Sequence, residues 1–183
     1  MAWALEEAGA PYEVVRLAVE ETHGEEHRGR HPLGRVPVLE DDEGLLFESA
    51  ALCLQVADSF PQSGLIAAPG THERGLAYQW TLFAMTELEP AVVEASRYRE
   101  SDPQRSQAAM ERFLRAAAAV DDALDGREYL IGEDFTVADL IVASVLAISR
   151  RFDDPQLLPP RAGAHLARME ERPARVRAYA ALA

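Results

Sequence analysis

Hydrophobic and polar positions keep one rhythm over the first sixty residues of this chain and another over the rest. Ala2–Ala8 carries good helix formers, and Gly9 stands where a left-handed cap is expected. Pro11 blocks continuation. Residues 12–19 are rich in β-branched and aromatic side chains, which predicts a strand. Residues 20–35 are polar, hold three glycines and three histidines, and read as a loop with at most one helical turn. Residues 35–39 read as a short strand. Pro37 inside it cannot donate to a ladder, so it needs an edge position, a bulge or a cis bond. Residues 41–44 form a hairpin turn and 45–47 its returning strand. Residues 49–58 then read as a helix with Leu52 and Val56 facing inward.

Pro61, Gly64, Pro69 and Gly70 mark a linker over residues 61–70. Beyond it no strand pattern remains. Leu76, Trp80, Phe83, Leu88 and Val92 recur at helical spacing, with Pro90 predicting a kink or break. Asp102 and Pro103 form an N-cap followed by proline at the first helical position. Met110, Phe113, Ala117, Val120 and Leu124 line one face of the helix that Gly126 stops. Further helices are expected over 137–150, 161–171 and 174–182. The expected organisation is a small α/β domain over 1–60, a linker over 61–70 and an all-α domain over 71–183.

The 183 residues are 48% apolar and carry 31 acidic against 18 basic side chains, a net charge of -13. A field of that sign repels phosphate backbones and anionic membranes, so neither nucleic acid nor a membrane is an expected partner. The single cysteine, Cys53, permits no internal disulfide and no cysteine-based metal site. The longest apolar stretch, 137–149, is interrupted by Asp139 and is too short to span a bilayer. With no signal-peptide pattern at the start, the expected location is cytoplasmic.

Candidate chemistry gathers between residues 34 and 49. Glu48 and Ser49 precede an apolar helix. Ser49 serves there either as a simple N-cap or, with the free N–H groups and the helix dipole, as a carboxylate site. If the Val36-Pro37 bond is cis, the bend leaves the Val36 N–H and C=O free to pair with a ligand backbone. His23, His27 and His31 fall at i, i+4, i+8, a spacing that invites a metal. The interspersed glycines and Pro32 favour solvated loop histidines instead, and no metal is expected. Trp80 and Phe83 suit core packing better than a substrate cage, and Cys53 suits a small buried hydrophobe. The Glu40-Asp41-Asp42-Glu43 cluster reads as a solvated turn. Thr136 and Asp139, flanked by Phe135 and Leu140, form a capping box with a staple, worth on the order of 1 kcal/mol.

Four stretches, in this order and spacing, resemble the bacterial-type glutathione transferase family. Residues 5–12 look like the end of the family's first helix and its approach to strand two. The run His31-Pro32-Leu33-Gly34-Arg35-Val36-Pro37-Val38-Leu39 is similar to the segment holding a cis-proline. Glu48-Ser49-Ala50-Ala51-Leu52 resembles the start of the third helix. Tyr129-Leu130-Ile131-Gly132 followed by Phe135-Thr136-Val137-Ala138-Asp139 resembles the family's folding box. The resemblance implies a thioredoxin-like α/β N-terminal domain and an all-α C-terminal domain, with a homodimer as the usual assembly. It implies glutathione as co-substrate and a small hydrophobic electrophile as its target. Arg35 would lie beside the glycyl or cysteinyl part, and Val36, next to Pro37, would pair with the cysteinyl backbone. Glu48 would hold the γ-glutamyl amine, Ser49 its carboxylate, and His23 is aligned with a glycyl-carboxylate contact of some members. The first strand and the turn carrying the thiol-activating Ser, Tyr or Cys should precede Ala2. Without them the N-terminal domain is expected to be incomplete, and the chain to begin late. No catalytic residue is transferred. The alternatives are a non-catalytic transferase-fold module that binds proteins, or an inactive fragment.

Overall fold

The computed structural model describes residues 1–182, which divide into two compact units. The first contains α1 (Ala2–Ala8), α2 (Val19–Thr22), α3 (Glu25–Arg30), strands β1 (Val38–Asp41) and β2 (Gly44–Phe47), and α4 (Ser49–Ser59). It also takes in α10 (Pro173–Leu182) from the far end of the sequence. The second unit holds α5 (His72–Phe83), α6 (Glu89–Tyr98), α7 (Pro103–Ala123), α8 (Val137–Leu146) and α9 (Pro160–Glu170). An α/β unit and a helical unit are therefore both present, as the patterning implied.

In the first unit α1 packs against α4 and α10. Trp3, Leu5, Leu52, Cys53, Val56, Ala174 and Ala178 are buried there. Gly9, at φ 65°, ends α1 and lets the Ala10 N–H reach the Leu5 carbonyl at 2.9 Å. Polar contacts secure α10: Arg177 Nε donates to Glu6 at 2.7 Å and Arg16 to the Ala181 carbonyl at 2.9 Å. The Tyr12 hydroxyl also donates to Glu6, at 3.0 Å. The hydrogen bonds from Arg177 and Tyr12 hold the Glu6 carboxyl below its ordinary range. The helix expected over 174–182 is thus present, but it builds the first unit and not the helical one.

The strand expected over residues 12–19 does not form. Residues 11–18 have no regular structure, and α2 begins at Val19. Among the described residues the sheet has two strands, β1 and β2, paired antiparallel with Val38 opposite Phe47 and Asp41 opposite Gly44. β-propensity reports fitness for a sheet surface, and residues 12–19 have no strand beside them to supply one. Val15 and Val19 stay 76% and 72% exposed. The polar stretch after them is more ordered than a loop, since it carries α2 and α3. β1 starts at Val38, three residues later than expected, because Pro37 has no N–H to begin a ladder.

In the second unit α5 and α6 join through a π-helical turn at Ala84–Leu88, just ahead of Pro90. Pro90 lacks the N–H that a regular helix would use at that place, and the wider turn absorbs the mismatch. The Asp102 carboxylate caps α7 by accepting the Arg105 N–H at 3.1 Å, with Pro103 at the first helical position. Nine residues of α8 are buried, so it is apolar nearly all round, as a central helix must be. It ends at Leu146, and a 3-10 turn carries the chain on over Ala147–Phe152. Phe113, Leu88, Val92, Leu140, Leu146 and Leu166 are among the large buried side chains of this core.

Asp139 is fully buried in that core. It accepts the Thr136 N–H at 2.9 Å and the Thr136 hydroxyl at 3.0 Å, the return half of the expected capping pair. It also accepts the Leu130 N–H at 2.8 Å, so one carboxylate ties the preceding loop to the start of α8. His165 of α9, also fully buried, places Nε2 3.6 Å from it. Burial raises the Asp139 carboxyl and lowers the His165 imidazole.

Candidate functional site

The site is built on the first unit, where the segment leading into β1 meets the start of α4. The register that places Val38 opposite Phe47 sets Pro37 and Glu48 at the same end of the hairpin. Residues eleven apart in sequence are thereby neighbours, and the two candidate halves lie side by side. At the hairpin's other end Asp41 closes the turn by accepting the N–H groups of Glu43 and Gly44 at 2.9 and 3.0 Å.

The Val36-Pro37 peptide bond is cis. Val36 is 63% exposed, and among the described residues no hydrogen bond engages its backbone. Arg35 is exposed beside it. Behind this edge the loop is closely tied. Gly34 turns at φ 61° and donates to the His31 carbonyl at 2.9 Å. A Cβ at Gly34 would lie 2.4 Å from the Thr22 carbonyl oxygen.

His27 and His31 are not solvated, as their loop setting suggested. His27 is buried on α3, with Nε2 2.8 Å from the Arg35 carbonyl oxygen. His31 is buried too. Its Nδ1 accepts the Leu33 N–H at 3.0 Å, and its ring packs on Phe47 with centroids 4.8 Å apart. Arg30 bridges Glu26 and Glu40 at 3.3 and 3.4 Å, which fastens α3 to β1. His23 caps the C-terminal end of α2, one residue past the carbonyl that Gly34 meets. Among the described residues no three His, Cys, Asp or Glu side chains are grouped to hold a metal.

At the second half, Glu48 sits at φ 74°, ψ 108°, a backbone region that a non-glycine residue rarely occupies. Such conformations cost about 1–3 kcal/mol and concentrate at ligand sites. Glu48, and not Ser49 as expected, occupies the N-cap position of α4, and no side chain caps this helix. The first helical bond is from the Leu52 N–H to the Glu48 carbonyl, at 2.9 Å. Residues 49–51 thus turn free N–H groups, with the Ser49 hydroxyl among them, toward whatever occupies the helix start. An exposed carboxylate stands next to them. The pair suits a ligand with an ammonium and a carboxylate on one carbon.

Cys53 is 2% exposed on the inner face of α4 and is not an accessible nucleophile. Trp80 and Phe83 pack edge to face on α5, in the other unit, with centroids 5.5 Å apart. The contact of His27 leaves no signal in the sequence, because its acceptor lies eight residues on, in a loop that has no period.

A family model described as "Glutathione S-transferase, N-terminal domain" matches residues 1–58, and one described as "Glutathione S-transferase, C-terminal domain" matches residues 83–173. Among solved structures, the bacterial glutathione transferase BphK in a ternary complex superposes with a TM-score of 0.89. It is 28% identical and covers 100% of this chain and 93% of its own. A sphingomonad glutathione S-transferase complexed with glutathione superposes at 0.87. It is 31% identical and covers 98% of this chain and 91% of its own. Among curated relatives, elongation factor 1-gamma of Trypanosoma cruzi is 35% identical over 123 residues. That is 65% of this chain but 29% of the relative, so the match spans under a third of that protein's length.

Proposed function

Because this chain belongs to the glutathione S-transferase family, we propose that its first unit, the family's thioredoxin-like domain, binds glutathione along the edge at Val36 and the start of α4. The observation that carries this reading is the side-by-side placement of an exposed, unpaired Val36 backbone and the Glu48-Ser49 corner. An extended peptide can pair with Val36 as an added strand. The γ-glutamyl group is the part of glutathione that needs a carboxylate and a helix N-terminus together. Glu48 takes its ammonium; Ser49 and the N–H groups of α4 take its carboxylate. Arg35 lies toward the cysteinyl and glycyl end, with His23 near the glycyl carboxylate.

The reaction proposed is that of the family. The glutathione thiolate attacks an electrophilic carbon of a small hydrophobic substrate, forming a C–S bond and expelling a leaving group or adding across a double bond. Glutathione-dependent reduction or isomerisation uses the same bound thiol. No residue of this chain is assigned to thiol activation. A homodimer is proposed from the family resemblance, and a cytoplasmic setting from the lack of a signal-peptide pattern at the start. Among the described residues no helix is long and apolar enough to cross a membrane.

Titration calorimetry of the purified chain with reduced glutathione tests the reading. Saturable binding is expected, weakened about tenfold or more in Glu48→Ala, since a charge-assisted contact is worth about 1.5–3 kcal/mol. A folded protein that takes up no glutathione overturns it.

A further inference from the structure

The peptide plane between Arg35 and Val36 ties a buried histidine to the exposed edge. Its carbonyl is the Arg35 oxygen, and His27 Nε2 lies 2.8 Å from it. Its N–H is that of Val36. In a planar trans peptide the C=O and N–H point in opposite directions. Whatever fixes the carbonyl inward therefore aims the N–H outward. A carbonyl oxygen only accepts, so the proton of the His27 ring sits on Nε2. The other ring nitrogen, Nδ1, is buried without a hydrogen-bond partner, which leaves the contact to Arg35 as the ring's polar attachment.

Nothing else described grips this peptide. Val36 is 63% exposed, and its backbone makes no hydrogen bond among the described residues. The tight contacts stop one residue earlier, at Gly34 under the Thr22 carbonyl. His27 is itself held by its place on α3, where it is 5% exposed and one residue in from Glu26, a partner of Arg30.

We infer that His27 is a positioning residue for glutathione: by holding the Arg35 carbonyl inward it presents the Val36 N–H as a fixed donor to the cysteinyl backbone. This rests on the proposal that the Val36 edge binds glutathione. The gain is preorganisation: a donor already aimed avoids the cost of ordering a free peptide at the moment of binding. A residue at this position needs an N–H at the distance of the imidazole Nε2, and glutamine can supply one. A leucine fills similar space and supplies none.

The test compares wild type, His27→Gln and His27→Leu by calorimetric titration with reduced glutathione, together with nitrogen-15 spectra of the His27 ring in the wild type. Expected are affinity within about threefold of wild type for His27→Gln, a loss of about tenfold or more for His27→Leu, and the proton on Nε2. A factor of ten corresponds to about 1.4 kcal/mol. Equal affinity for all three proteins, equal loss in both variants, or a proton on Nδ1 overturns the inference. If wild type itself binds no glutathione, the functional reading falls separately. Amide exchange at Val36 then decides: unchanged exchange between wild type and His27→Gln but faster exchange in His27→Leu supports the positioning role, and identical exchange in all three ends it. Should His27→Leu not fold, the ring spectrum and the glutamine variant still separate the two outcomes.

Discussion

At Gly34 the chain turns at φ 61° with the Thr22 carbonyl oxygen 2.4 Å from where a side chain would begin. The obstacle is backbone, so it cannot swing aside as a side-chain tip would. Gly34→Ala is therefore expected to cost more than the ~1–2 kcal/mol of placing any L-residue in the left-handed region. The displaced loop is the one that presents Val36. Thermal melting should show the loss of stability, and glutathione titration should show weakened binding in the protein that remains folded. Alanine accommodated with no change in either would mean that the turn has slack. Glu48 shows a related constraint at the other half of the site: a charged residue held at φ 74° where glycine would rest more easily. Its carboxylate is what the proposed ammonium contact uses and what glycine would lack.

Helix α9 begins where helix α7 ends. Asp121, on the last turn of α7, accepts the N–H groups of Arg161 and Ala162 at 2.6 and 3.0 Å and the Arg161 guanidinium at 2.8 Å. A carboxylate from another element thus serves as the N-cap. Burial favours the neutral acid, but the hydrogen bonds from Ala162 and Arg161 outweigh it and hold the carboxyl below its ordinary range. The unfolded carboxyl titrates near 3.9. Its contribution is therefore fully present above about pH 4 and is lost as pH falls through the lower folded value. Asp121→Asn is expected to lose about 1–3 kcal/mol at pH 7. The gap to wild type should close as acid protonates the native carboxylate, which urea unfolding from about pH 2.5 to about pH 7 measures. A gap independent of pH would assign the effect to packing. At the level of elements the sequence was informative where a period or a cap was complete within one segment. Asp102-Pro103 and Thr136 with Asp139 announced the starts of α7 and α8. Residues 12–19 misled, because β-branched side chains state a preference that only a neighbouring strand can satisfy. The Asp121 link, and the His27 contact at the site, join distant or aperiodic positions and leave no local mark. The Val36 and Glu48 halves were legible as a pair only through the order of the motifs around them.

Across the whole molecule the informative surprise is α10. Its small residues Ala174 and Ala178 let it lie close in the first unit, beside Trp3 and Leu5 of α1. Ala178→Glu would bury an unpaired carboxylate there, a change expected to cost about 3 kcal/mol or more. Amide protection should fall over Ala2–Ala8 and persist over Val137–Leu146. Equal loss in both would show that the two units unfold as one. The arrangement also sets an order of events during synthesis. Domains ordinarily fold in the order they leave the ribosome. Here the helical unit is interposed between the two parts of the first, so it can complete its core while α1 still waits for its partner. Trp3 and Leu5 precede the whole helical unit in sequence, yet α10 completes their cover only after that unit has been made. The edge proposed to bind glutathione belongs to that same unit, so its final consolidation falls after residue 173 has emerged.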